Sequence, residues 1–368
     1  MSEYYISQID PGDYRGFASV DELLNAEGIR RDANLDYTCA MFDENMRVIA
    51  TGSCYGNTLR CMAVSSLHQG EGLMNEIVSH LMAVQVSRGN THVFLYTKCQ
   101  SADFFSSLGF YEIVRIDKSI VFMENRRTGF ADYLQKLSAG RAEAVRAGSG
   151  NTLENTSENA SGAKIAAVVM NANPFTLGHQ YLVEKAASEN DILHLFLVSE
   201  DSSLIPFEVR KKLVMEGTAH IANICYHDSG PYIISNATFP SYFQKDENAV
   251  IESHALLDLT VFEQIAERLG ITARYVGEEP TSLVTGIYNQ IMQEKLPEKG
   301  IRCVVVPRKQ CDCSDDIISA SAVRRAIQEN DLSVLESMLP RTTLEYFFSE
   351  ESKPVRERIQ KAGNVVHY

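Results

Sequence analysis

The chain has 368 residues, is 45% hydrophobic and carries a formal net charge of -14. That length and apolar content suit two domains with real cores, and the acidic balance excludes nucleic acid and membrane surfaces as bulk partners. The eight cysteines lack the spacing of a disulfide framework. The close pair Cys311-Asp312-Cys313 has no accompanying Cys/His set. The expectation is therefore reduced thiols, no metal site and a soluble, cytoplasmic protein. Neither a basic, apolar leader nor a run approaching ~18 apolar residues is present.

In chain order, Tyr37–Met41 and Val48–Cys54 read as hairpin strands around Asp43-Glu44-Asn45, and Leu59–Val64 as a third. The loop His68-Gln69-Gly70-Glu71-Gly72-Leu73 leads into a helix with Ile77, Leu81 and Val84 on one face. Strand Val93–Thr97, short helix Ala102–Leu108 and strand Tyr111–Arg115 follow. From about Ser138 to Ala163 large apolar residues nearly vanish, which predicts a flexible linker over 138–163. Beyond it, the apolar runs Ile165–Met170 and Ile192–Val198 suit strands buried on both faces of a parallel sheet. Helix Pro206–Ala219, helix Ala255–Leu269, strand Ala273–Val276, helix Val284–Glu294 and strand Arg302–Val306 continue the alternation. The expected organisation is a mixed α/β domain over 1–135, the linker, a doubly wound parallel α/β domain over 164–350 and a tail over 351–368.

The chemistry concentrates in two segments. Asn171-Ala172-Asn173-Pro174-Phe175-Thr176-Leu177-Gly178-His179 joins a strand to a helix start. Gly178 gives close backbone approach, the first helix N–H groups face an anion, and His179 donates to a phosphate oxygen. A plain βα turn is the bland alternative for T-x-G-H alone. The second segment, Ile318-Ser319-Ala320-Ser321-Ala322-Val323-Arg324, opens another helix about 140 residues later. Ser319 caps it, Ser321 offers a hydroxyl, and Arg324 reaches a leaving pyrophosphate. Together the two segments predict chemistry at the α-phosphate of ATP.

The pair T-x-G-H and I-S-x-S-x-x-R resembles the nucleotidyltransferase superfamily, whose Rossmann-like domains close these motifs over ATP. The resemblance assigns Thr176 and His179 to the α- and β-phosphates, Ser319, Ser321 and Arg324 to the β- and γ-phosphates, and Asn173 to the substrate side. It also offers Arg210, within Pro206–Lys212, to phosphate and Gly277, with Glu278 and Glu279, to the adenine loop. Arg308 and Lys309, at a strand end, are further cations for phosphate or carboxylate. The first 130 residues resemble the GNAT acetyltransferase fold, from which the sequence departs at Gln69 and Met74. The whole order resembles the citrate lyase ligase family. That resemblance implies ATP, acetate and a thiol as substrates, with AMP, pyrophosphate and an acetyl thioester as products. The thiol belongs to the prosthetic group of the lyase's acyl carrier subunit, and Mg²⁺ is expected on the phosphates. The two motifs fit equally an adenylyltransferase acting on a phosphorylated acceptor such as pantetheine phosphate or nicotinamide mononucleotide.

Overall fold

The computed structural model describes residues 4–148, 162–200, 203–233, 239, 247–278, 283–309, 318–331 and 334–362. It divides into two compact units, Met1–Phe130 with Thr238–Leu257, and Ala131–Ala237 with Asp258–Tyr368.

The first unit contains strands β1 (Tyr5–Gln8), β2 (Tyr37–Phe42), β3 (Val48–Tyr55), β4 (Thr58–Val64), β5 (Phe94–Thr97), β6 (Tyr111–Ile116) and β7 (Ile120–Glu124). Its helices are α1 (Tyr14–Ala26), α2 (Leu73–Ser87) and α3 (Ala102–Ser107). The sheet runs β1-β2-β3-β4-β5-β7-β6, and β4 with β5 is its parallel pair. Alternation along β2 sends Cys39 and Met41 into the core that includes Ile77 and Leu81, and Ala40 into a second core with Val20 and Leu24. This is the acetyltransferase-like α/β arrangement expected from the sequence. Helix α2 lies directly on β3: a Cβ at Gly52 would meet Ile77 Cγ2 at 2.6 Å and Leu81 Cδ1 at 2.8 Å. Gly52→Val is therefore expected to cost roughly 1–3 kcal/mol through overpacking. Urea unfolding checks this; an unchanged midpoint would mean that α2 shifts without penalty.

The second unit's sheet has strands β8 (Ile165–Met170), β9 (Ile192–Leu197), β10 (Ile224–Asp228), β11 (Ala273–Gly277) and β12 (Arg302–Val306). All are parallel, in the order β10-β9-β8-β11-β12. The chain steps outward from β8 to β10, then returns to build β11 and β12 on the other side of β8. The switch point therefore lies between β8 and β11, where such sheets bind ligands beyond their carboxyl ends. Helices α5 (Leu177–Ser188), α6 (Phe207–Gly217) and α8 (Leu283–Lys295) connect its strands, α7 (Glu247–Leu269) belongs to this unit from Asp258 onwards, and α9 (Ala320–Glu329) follows β12. Val168, Leu195, Val183, Leu213 and Val323 meet in one core.

Several features differ from the sequence expectation. Helix α4 (Gly129–Gly148) runs into the stretch read as linker, and residues 149–161 lie outside the described residues. Its Leu137 is buried, and Tyr133 stacks at 4.8 Å on Tyr232. Strand β10 was not expected; its inward His227 pairs through Nε2 with His194 Nδ1 at 2.8 Å rather than forming an apolar run. Helices α10 (Leu335–Met338), α11 (Arg341–Phe348) and α12 (Lys353–Lys361) follow α9. Val355 and Ile359 of α12 are buried in the sheet domain's core, where a tail was expected.

Candidate active site

The loop after β8 is held from both sides by arginines. Ala172 takes φ 52°, and the Asn173–Pro174 peptide is cis. Arg210, on α6, is 1% exposed. Its Nε donates to Ile205 O, its Nη1 to Asn171 O, Asn171 Oδ1 and Val198 O, and its Nη2 to Glu200 O. This corrects the expectation of a phosphate contact: burying a guanidinium requires saturating its donors, and here backbone carbonyls do so. Arg210 shapes the loop instead. Lys211 and Lys212 are paired with Asp228 and Glu351.

Thr176 is the N-cap of α5 and forms a reciprocal box with His179. The Thr176 hydroxyl oxygen accepts from His179 N at 3.3 Å, and Thr176 N donates to His179 Nδ1 at 3.1 Å. A backbone N–H can only donate, so Nδ1 is the acceptor and the neutral ring carries its proton on Nε2. Phe175 lies nearly parallel to the ring at 6.0 Å. Burial, followed by the charges of Arg308 and Arg324, pushes His179 down to about 4. At neutral pH it is an uncharged Nε2–H donor with a fixed orientation.

The second motif meets the first. Ser319 caps α9 by accepting from Ala322 N at 3.0 Å. Arg324 donates through Nη1 to Asn173 O and through Nη2 to Ser321 Oγ, the latter at 3.1 Å. Asn173 Oδ1 in turn accepts from Ile205 N at 3.2 Å. A Cβ at Gly178 would lie 3.4 Å from Ile318 O. Gly178 thus faces the backbone of the second motif, which refines its expected part in phosphate approach. Ile318 N donates to Lys309 O at 3.4 Å; residues 310–317, with Cys311 and Cys313, lie outside the described residues.

At the ends of β11 and β12, Arg308 Nε donates to Glu278 O at 2.9 Å, and Asn289 Nδ2 donates to Gly277 O at 3.1 Å. Beneath them Arg274 is buried against Asp258 at 3.3 Å, and Tyr288 also bonds Asp258. Glu279 lies outside the described residues. The structure thus gathers Asn173, Thr176, Gly178, His179, Ser319, Ser321 and Arg324, joins Arg308 to the carbonyl of Glu278 while Asn289 holds that of Gly277, and sets Arg210 behind the loop. Asn171 as the anchor for Arg210 was not anticipated, because its partner lies 39 positions away.

Two desolvated imidazoles, a buried one at His227 and a half-buried one at His179, make stability acid-sensitive. His227, like His179, is pushed to about 4, by burial against an opposing Asp228 charge. An unfolded histidine titrates near 6.5. Between those values the unfolded chain binds more protons, so this stability is complete above about pH 6.5 and is lost as pH falls towards 4. Each residue accounts for up to about 3 kcal/mol. Urea midpoints should fall between pH 7 and 5; a flat profile would contradict the buried neutral state.

The fold and site define a Rossmann-like α/β domain of the nucleotidyltransferase type, joined to an acetyltransferase-like domain. Residues 165–347 match the family profile described as the citrate lyase ligase C-terminal domain. The chain is 37% identical to [Citrate [pro-3S]-lyase] ligase of Escherichia coli (strain K12), covering 92% of each chain. It is 34% identical to the protein of that name from Haemophilus influenzae, over 89% of this chain and 93% of that one. A GNAT-family acetyltransferase structure from Staphylococcus aureus aligns with 33% of this chain and 99% of its own, at 13% identity and a TM-score of 0.29. The chain belongs to the citrate lyase ligase family.

Proposed function

We propose that the second unit condenses acetate with ATP and that the acetyl group then passes to the thiol of the citrate lyase acyl carrier's prosthetic group. The observation that carries this reading is the convergence of two helix starts, α5 with His179 and α9 with Arg324, at the sheet's switch point. Acetate is a poor acyl donor because its leaving group would be oxide. An acetate oxygen attacks the α-phosphorus, the bond to pyrophosphate breaks, and acetyl-adenylate forms. AMP is then a competent leaving group. This step requires charge neutralisation and in-line positioning more than a covalent nucleophile.

His179 donates from Nε2 to an α-phosphate oxygen, and Arg324 with Ser319 and Ser321 receives the departing pyrophosphate. Asn173 borders the acetate side, and Gly277 borders the base. The charged groups named here are cations, Arg308 and Arg324, which fits a polyanion; Mg²⁺ would be held largely by phosphate oxygens. No helix among the described residues is long and apolar enough to cross a membrane. Cys39, Cys54, Cys61, Cys99, Cys225 and Cys303 are free thiols, which fits a reducing cytoplasm.

Acetate labelled with ¹⁸O tests the reading. One labelled oxygen should appear in AMP for each thioester formed, because the acetate oxygen that attacks phosphorus stays with it. AMP without label would exclude acetyl-adenylate. A stable dinucleotide made from a phosphorylated acceptor would establish adenylyl transfer instead.

A further inference from the structure

The sequence of α12, Lys353-Pro354-Val355-Arg356-Glu357-Arg358-Ile359-Gln360-Lys361, sets one apolar pair, Val355 and Ile359, among polar and charged neighbours. Residues four apart share a helix face, and both of these side chains are buried. They enter the core that holds Val323 and Ile327 of α9 and Ile205 of the stretch before α6. In this way α12 packs against the helix that carries Arg324.

Polar contacts tie α12 to the same two segments. The last carbonyls of a helix have no intrahelical donor, and at the end of α12 a side chain of α9 supplies one. Gln328 Nε2 donates to Ile359 O at 3.0 Å and to Ala362 O at 2.7 Å. An amide NH₂ carries two hydrogens, so one side chain serves both carbonyls. Gln360 Nε2 donates at 3.0 Å to Oδ1 of Asn330, the left-handed residue that ends α9. On the other side Arg358 Nη1 donates to Leu204 O at 3.3 Å.

These contacts close a circuit through the candidate active site. Leu204 adjoins Ile205, whose N–H donates to Asn173 Oδ1 at 3.2 Å. Asn173 O accepts from Arg324, which stands one turn before Gln328 on the same face of α9. Asn173 and Arg324 are thus joined directly, and again round the back through Ile205, Leu204, Arg358, α12 and Gln328. We propose that α12 fixes the approach of the two ATP-binding segments, with Gln328 and Arg358 as positioning residues for adenylation; the proposal rests on the acetyl-adenylate reading above. Both act through backbone carbonyls, holding chain segments rather than phosphate. Such bonds are individually weak, yet a displacement of about 1 Å at a reacting centre costs about 10²-fold in rate. A slackened brace is therefore felt at the chemistry first.

The test uses the full chain and reads acetate-dependent ATP–pyrophosphate exchange. Gln328→Leu keeps the side-chain volume and removes both donors. Arg358→Met keeps the aliphatic stem at an exposed position and carries little risk to folding. Gln328→Leu is expected to lower the exchange kcat by about tenfold and Arg358→Met by about threefold, with the ATP KM within about twofold. Arg358→Lys should restore the rate, because an ammonium still donates to one carbonyl. In an Arg324→Ala background the two substitutions should add no further loss of rate, since the group they position is gone. Their effect on the urea midpoint should be about the same in both backgrounds, as a structural contribution is. Wild-type exchange from both single variants would overturn the proposal. So would an equal loss of rate with and without Arg324, which marks general loosening, or a raised ATP KM in Arg358→Met, which makes Arg358 a phosphate ligand. Absent or acetate-independent exchange in the wild-type protein would instead sink the acetyl-adenylate reading, and this proposal with it.

Discussion

His179→Ala is expected to lower the rate of acetate-dependent adenylate formation by about 10²–10³-fold, the range for removing one preorganised donor from a developing oxyanion. The ATP KM should move much less, because the lost bond strengthens as charge develops on the α-phosphate. The physical basis is the cap of α5. Thr176 fixes Nδ1 as an acceptor and leaves Nε2–H as the donor. With the ring pushed down to about 4, activity that depends on His179 should be level from about pH 6 upwards, whereas an unshifted imidazole would titrate near 6.5. Thr176→Ala is a graded control. It removes the cap, at about 1 kcal/mol of stability, and frees the ring, so adenylation should fall less than in His179→Ala. Single-turnover measurements across pH check both variants. Wild-type chemistry from His179→Ala would remove the histidine from the mechanism.

Arg324→Lys should be nearly as damaging as Arg324→Ala, each lowering adenylation by roughly 10³-fold, the lower end for a guanidinium that meets phosphoryl-transfer charge. Arg324 touches Asn173 O and Ser321 Oγ at once. An ammonium is a point charge and cannot reproduce that planar fork. Removal also leaves the Asn173 carbonyl without this donor, at a cost of about 1–2 kcal/mol. Thermal unfolding separates this small loss from the larger loss of rate. Full activity in Arg324→Lys would show that charge alone suffices and that the link between the motifs is dispensable.

The second unit was readable because its signals are local. Continuous apolar runs marked β8 and β9, and each motif is contiguous, with strand, loop, cap and helix start side by side. Ser319 could be assigned as a cap residue from its position alone, whereas the capping part of Thr176 emerged only with the structure. What remained hidden depends on contacts distant in sequence. Arg210 lies in a row of cations, and nothing nearby reveals that it saturates the carbonyls of Asn171, Val198 and Glu200. Strand β10 is half polar because His227 is satisfied by His194 on the neighbouring strand. The stretch read as linker begins with Ser138-Ala139-Gly140-Arg141-Ala142-Glu143-Ala144, whose alanines favour helix, and α4 extends into it as far as Gly148. Leu137 anchors that helix, an influence that composition averaging hides. Cys61 has no sequence signature for a positive φ, so the irregularity it makes in β4 was invisible. The assignment of residues 238–257 to the first unit is likewise a tertiary fact.

The most direct test of the central claim is ATP–pyrophosphate exchange with Mg²⁺, measured with and without acetate and in the absence of any carrier. The account predicts exchange that requires acetate and that falls by about two to three orders of magnitude in both His179→Ala and Arg324→Ala. Acetate-independent exchange, or none in protein shown to bind ATP, would contradict formation of acetyl-adenylate at this site.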